Sequence, residues 1–371
     1  MIRKLRQAIK SLLKKWKARN RSRLYWGFVL AILLLSNLWL FIQQAKLEDT
    51  IESLKTEQEL NQEALASGLI KLRDLELTDN LLASVEDEIE RSAKQQLSPE
   101  TIARIAALSQ EIAPKHPLVE DSIVISPARG HLLSSLTLMK MDTSSFRQIR
   151  EQVSFAGAEL ANVDLAGKDL RNIDLRKANL PNAFLVGADL RGADLRGSRL
   201  SRATLDSAQL DGTNLKRVDF RWASMIQVSL TYAQLDGIKL ANANLSGANL
   251  YAAMIEWADL NNASFAQANM QCVGFKGSDL RETNMQGAIL DEAYLGRTDM
   301  SGTNLIGASL QAANMTGYSP INLSQVSVDD SLWLQQLSLW QVKGAEAEAA
   351  KYQVLPNPSQ AGTYYLEALA K

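Results

Sequence analysis

The chain has 371 residues, 46% of them hydrophobic, with 40 Lys and Arg against 41 Asp and Glu for a formal charge of −1. That balance excludes a global field suited to nucleic acid or to an acidic partner, and the composition is that of folded domains. A lone cysteine, Cys272, excludes an intramolecular disulfide, and His116 and His131 are too few and too isolated for a histidine-rich metal site.

The first 23 residues hold ten Lys or Arg and no acid. Among them Ile2, Leu5, Ile9, Leu12, Leu13 and Trp16 fall at helical spacing. The pattern predicts a basic amphipathic segment, 1–23, lying on an anionic membrane leaflet. From Leu24 to Ile42, 19 residues pass without a charge, with Tyr25 and Trp26 at one end and Trp39 near the other. That length predicts a single transmembrane helix, 24–42. The basic region is too long for a cleaved signal peptide, and no A-x-A site follows it. Charge asymmetry then predicts an amino end in the cytoplasm and everything after Ala45 on the far side of the membrane. The expected location is a bacterial inner membrane, with the body on the periplasmic or lumenal side.

Residues 43–117 form helix-prone sequence and are expected to make a stalk. Leu47, Ile51, Leu54, Leu65, Leu72, Leu75 and Leu82 sketch a heptad seam, which Gln58, Asn61, Gly68 and Asp79 interrupt. A coiled coil and an amphipathic helix packed on its own neighbours both fit. Ser98-Pro99-Glu100 and Ser126-Pro127 are helix starts, a cap followed by Pro at the first turn. Pro114 and Pro117 mark a linker. A helical cap is predicted over 118–150.

Every fifth residue from Phe155 to Met315 is Leu, Phe, Met or Ile, which makes 33 consecutive positions without a slip. Two residues before each stands a small residue in most cases, Ala at 19 of the 33. An α-helix turns five residues through about 500°, so this period would spiral around its surface and bury no single face. A flat strand repeats in two and cannot repeat in five. The pattern, A(D/N)LXX, resembles the pentapeptide-repeat family. The resemblance implies a mostly β architecture: a right-handed quadrilateral β-helix of about eight coils over 151–318, one pentapeptide per side. In that fold the large residue and the small one both point inward. Lys168 departs from the pattern at an inward small position.

After the repeats, Trp333, Leu337 and Trp340 share one helical face in a segment, 319–371, expected to form a helical cap or a homodimer contact. A second helix is expected near 344–352. Along the outer surface, residues twenty apart should stack. Arg176, Arg196 and Lys216 then make a basic column, and Tyr232, Tyr251 and Trp257 an outward aromatic patch. These six are the candidate partner-binding residues.

No P-loop, G-x-S-x-G, zinc spacing or H-E-x-x-H is present. The expectation is a protein without catalytic residues, cofactor or metal: a membrane-anchored interaction or scaffold module with an unknown protein partner. The alternative is a DNA mimic that binds a topoisomerase, as some members of the family do. It requires an acidic rod inside the cell, whereas 151–318 carries 15 basic and 18 acidic residues. Nucleic acid itself is not an expected partner.

Overall fold

The computed structural model describes residues 21–113, 125–316 and 322–369. The chain falls into two compact units, Met1–Ile70 and Lys71–Lys371. Helix α1 (Arg21–Arg91) is a continuous run of 71 residues.

Several expectations for this region are corrected. Among the described residues no helix is long and apolar enough to cross a membrane, so the spanning reading of 24–42 and the inner-membrane location built on it do not stand. The helical backbone passes from 24–42 into the charged stretch after Ala45 without a break, and the side chains of 24–42 lie outside the described residues. The segment 1–20 and the prolines Pro114 and Pro117 lie outside them too. The coiled coil is not supported: Ile51, Leu54, Leu65 and Leu72 are 44–68% exposed. From Leu81 onward the same helix buries Leu81, Leu82, Val85 and Ile89 in a shared core, the mark of a helix packed on its own neighbours.

The chain is also not mostly β. Each side of a coil supplies one bridged residue between turns, so the repeats form isolated bridges and not strands. The bridges nonetheless define the rod. One occurs every five residues, and each joins a residue to the one twenty positions on, from Ser154↔Asp174 to Tyr294↔Asn314. A coil is therefore twenty residues with four walls. The first wall carries the column through Asp174, Asp194 and Met254, and the second that through Arg199 and Asp259. The third carries Phe184 and Ser264, and the fourth Asp169 and Asn249. The backbone is paired from coil to coil, as in Leu245 N donating to Ser264 O at 2.7 Å. The fifth-position side chains and the small ones before them fill the lumen; Leu245, Ala248 and Leu250 are buried. Most polar lumen residues bond the wall itself, as when the Ser278 hydroxyl donates to Ile255 O at 2.7 Å, while the buried Ser198 hydroxyl has no partner among the described residues.

Three short helices close the first coil: α2 (Pro99–Glu111), α3 (Pro127–Leu138) and α4 (Thr143–Gln152). The side chains of Ser98, Ser126 and Asp142 cap them by accepting from backbone N–H groups of the first turns. Ser126 also adds itself to the rod, bridging Ala158 and donating its N–H to Gly157 O at 2.7 Å. Gly130 is where α3 lies directly on the first coil, since a Cβ there would collide with the Glu159 carbonyl. Lys168, the misfit of the lumen, reaches out of it to the Thr137 carbonyl at 2.7 Å.

At the far end the period breaks. Asp299 bridges Asn322 and Asn304 bridges Ser327, an offset of 23 in place of 20. The wall thus continues past the expected boundary at 318, with Leu323, Val326 and Val328 buried. The cap that follows is not purely helical. It holds β1 (Ser327–Val328), α5 (Trp333–Leu339), α6 (Ala345–Ala349), β2 (Tyr352–Pro356) and β3 (Tyr364–Ala368). The strands form an antiparallel sheet in the order β1-β3-β2. The expected second helix is the five-residue α6, and the chain then turns into strand β2.

Candidate interaction face

The corners of the rod determine what it shows to solvent. The second residue of most corners has a left-handed backbone, a conformation that suits Gly and Asn and strains larger side chains. Trp222 (φ 64°), Tyr232 (φ 56°) and Trp257 (φ 55°) occupy such positions and still project outward. Large polar residues occupy the same positions elsewhere, as at Lys177, Arg202, Gln227 and Glu282, so it is the outward aromatic rings and not the backbone that set these corners apart.

Two of them flank the first wall. Tyr232 lies on its corner with the fourth wall and is 65% exposed; Trp257 lies on its corner with the second wall and is 59% exposed. Tyr251 packs edge-on against Tyr232, with ring centroids 5.7 Å apart. Between the corners Met254 stands on the wall itself, 51% exposed. The next residue in its column is Gly274, whose outward side is open space. The Trp257 ring lies along the rod over Gly277: a Cβ at Gly277 would sit 2.6 Å from the indole. The result is an exposed patch of Tyr232, Met254 and Trp257 beside the open side of Gly274, with Glu256 and Glu292 at neighbouring corner positions. In the sequence Met254 is marked only as a thioether in a column of mostly polar residues.

Cys272 and Glu292 complete the corner beside Tyr251. The Cys272 thiol donates to Glu292 Oε2 at 3.6 Å. Burial, then the Glu292 carboxylate, push its pKa up. Tyr251 is held up as well, first by Cys272 and then by Tyr232. The thiol is therefore kept protonated, the opposite of what a nucleophile needs.

The basic column is paired. Asp-Leu-Arg triplets place each carboxylate two residues before its guanidinium on the same turn. Arg196 donates to Asp194 through Nε at 2.9 Å and Nη2 at 2.6 Å, and Arg176 donates to Asp174 at 2.8 Å through each of the same two nitrogens. Arg191 repeats the fork on Asp189, whose pKa that hydrogen bond lowers. Lys216 Nζ lies 3.0 Å from Asp236. Exposed pairs of this kind add little stability, but the forks fix where the guanidinium planes point. Trp333 and Leu337 are fully buried in the carboxyl-terminal cap, and Trp340 packs edge-on against Trp333 with centroids 6.5 Å apart.

Among the described residues no group of three His, Cys, Asp or Glu is placed to hold a metal ion. A cleft of about 530 Å³ in the amino-terminal cap, lined by Glu86, Glu90, Lys94 and Lys140 among others, offers mixed charges and no nucleophile–base pair.

The family model described as Pentapeptide repeats matches in eight copies spanning 154–221 and 229–317, so the repeat region of this chain is similar to that family. No curated protein matches the chain. Among solved structures, HetL, a pentapeptide repeat protein involved in heterocyst differentiation regulation from Nostoc sp. strain PCC 7120, is 28% identical. That match covers 46% of this chain and 86% of HetL, with a TM-score of 0.24. QnrB1, a plasmid-mediated fluoroquinolone resistance protein, is 17% identical over 48% of this chain and 98% of its own, with a TM-score of 0.35. A thylakoid-lumen pentapeptide repeat protein of Arabidopsis thaliana is 26% identical over 28% of this chain and 64% of its own, at a TM-score of 0.13. These TM-scores are low, and the assignment rests on the family match.

Proposed function

We propose that the rod is a non-catalytic protein-interaction module and that its first wall is the docking face. The observation that carries this is the patch of Tyr232, Tyr251, Met254 and Trp257, aromatic and thioether groups at solvent-facing positions where the repeat demands nothing of them. Trp and Tyr are the residues that most often anchor protein interfaces. The protonated thiol of Cys272 supports the non-catalytic part of the reading.

The test is photocrosslinking in living cells, with a photoreactive amino acid in place of Ala252. A discrete adduct that disappears when Trp257→Ala is added supports the docking face. A diffuse background, unchanged by Trp257→Ala, refutes it.

A second reading has one feature in its favour. On the second wall Asp259, Asp279 and Asp299 stack in successive coils, roughly 4.8 Å apart. Of the three, only Asp279 has a salt-bridge partner among the described residues, Arg281. A row of carboxylates on a rigid rod is what a DNA mimic presents to a topoisomerase. Inhibition of gyrase supercoiling by the purified chain, lost in Asp259→Asn/Asp299→Asn, would establish that reading; full supercoiling in excess protein would end it.

A further inference from the structure

The docking face is unevenly charged along its length. Over the strips 171–177, 191–197 and 211–217, the first wall and its corners carry seven basic and three acidic residues. Over 231–237, 251–257, 271–277 and 291–297 they carry two basic and four acidic. The aromatic patch and Met254 fall in the acidic half. The opposite wall, over its seven strips from 181–187 to 301–307, carries only three basic and two acidic residues. The second wall, which shares a corner with the first, carries the same split, with eight basic and one acidic residue over 176–182, 196–202 and 216–222 against four basic and six acidic over its next four coils.

We propose that this face binds a second copy of the chain, antiparallel, so that the basic half of each rod covers the aromatic and acidic half of the other. The proposal rests on the docking reading above and names its partner. A twofold contact must be self-complementary, with each residue meeting its counterpart's partner twice. A parallel pair fails this, because it sets the basic halves against each other. An antiparallel pair meets it over the four central strips, while the strip of Arg171 and Arg176 is set against that of Lys276. With the twofold axis between the coils of Lys216 and Asp236, the coil of Arg191 and Arg196 faces the coil of Tyr251, Glu256 and Trp257, and the reverse holds across the axis.

The local chemistry is suited to that match. Arg196 spends the edge of its guanidinium on Asp194, which leaves the planar faces open, and its side chain is 49% exposed. An indole or phenol ring can stack on that face without breaking the fork. The forks also hold the planes in place beforehand, so less side-chain freedom is lost on docking. Seven coils at roughly 4.8 Å make a strip about 30 Å long along which two rods can lie together.

The experiment is sedimentation velocity on the full chain across a concentration series, at low and high salt. A dimer that weakens with salt is expected. Trp257→Ala, Arg196→Glu and Glu256→Arg are each expected to raise the dimer dissociation constant by about tenfold or more. Arg196→Glu and Glu256→Arg are each monomeric alone but form a mixed dimer when combined, because both contacts across the twofold are then of opposite sign. Unchanged thermal melting of each variant shows that folding is intact. A wild-type chain that stays monomeric, or single variants that dimerise as before, overturns the second-copy proposal. The wider docking reading then stands or falls on the crosslinking result. Failure of the mixed pair to assemble overturns the antiparallel register.

Discussion

At its first coil the rod is closed by a charged side chain, and at its last by an apolar one. Arg129 is 5% exposed, and its guanidinium donates to Ser109 O at 2.8 and 2.6 Å and to Ala156 O at 2.5 Å. Burial lowers its pKa from the ordinary guanidinium value. Trp333 is 0% exposed and joins the lumen core with Leu337 and Val328. The difference follows from what each end lacks. The amino-terminal end presents the Ala156 carbonyl, which the ladder leaves without a donor, and the Arg129 guanidinium joins it to the Ser109 carbonyl of α2. The carboxyl-terminal end presents an open lumen, and a large ring fills it. Each end also uses the other's device: Leu132, Leu133 and Leu136 are buried in the amino-terminal cap, and at the far end Ala312 and Met315 donate their N–H groups to Trp340 O and Lys343 O.

The largest effect expected from breaking this comparison is at the apolar end. Trp333→Ala should cost about 3–5 kcal/mol, read as a lower midpoint in denaturant unfolding. Arg129→Met keeps much of the side-chain length but orphans two carbonyls, and should cost about 2–4 kcal/mol in the same measurement. If the two ends unfold separately, each variant will split off its own early transition. If the rod is one cooperative body, each will move a single one. Between the ends the lumen alone is tested. Ala248→Leu should cost about 1–3 kcal/mol through overpacking, and an unchanged melting temperature would count against a narrow lumen.

The smallest expected effect belongs to the amino-terminal cap. Asp142 accepts from the N–H groups of Ser144 and Ser145 and from the Ser144 hydroxyl, and hydrogen bonds from these serines hold its pKa down to about 2. A carboxyl depressed in the folded state contributes stability above its unfolded value and loses it as pH falls through the folded one. The contribution is therefore whole above about pH 5 and gone near pH 1. Asp142→Ala should cost about 1 kcal/mol at pH 7 and only a small part of that at pH 2, checked by urea unfolding at both.

How far the sequence revealed the molecule depends on how tightly packing constrains each residue. The rod was legible because one side chain in five must fill the lumen, and even Lys168 stood out as a misfit. Asn322-Leu323 repeats the same motif but was hidden by the three-residue shift before it. Arg129 looked like any helix-surface arginine, since nothing local shows that a carbonyl edge lies over it. The heptad reading failed for a related reason: Leu82 is buried against the cap of its own chain, and periodicity alone does not name the surface a helix packs on. The basic column was legible as a column, but not its pairing, because the fork depends on the turn between Asp194 and Arg196.

The twenty-residue coil also makes the molecule an indexed dial. Removing or duplicating twenty residues within the body would change its length by one step and leave every wall in phase. Five residues would instead turn everything downstream by a quarter, carrying Trp257 to another side while the lumen stayed filled. Selection on such a gene can therefore adjust reach and direction independently, one by whole turns and the other by quarter turns, without designing a new core for either.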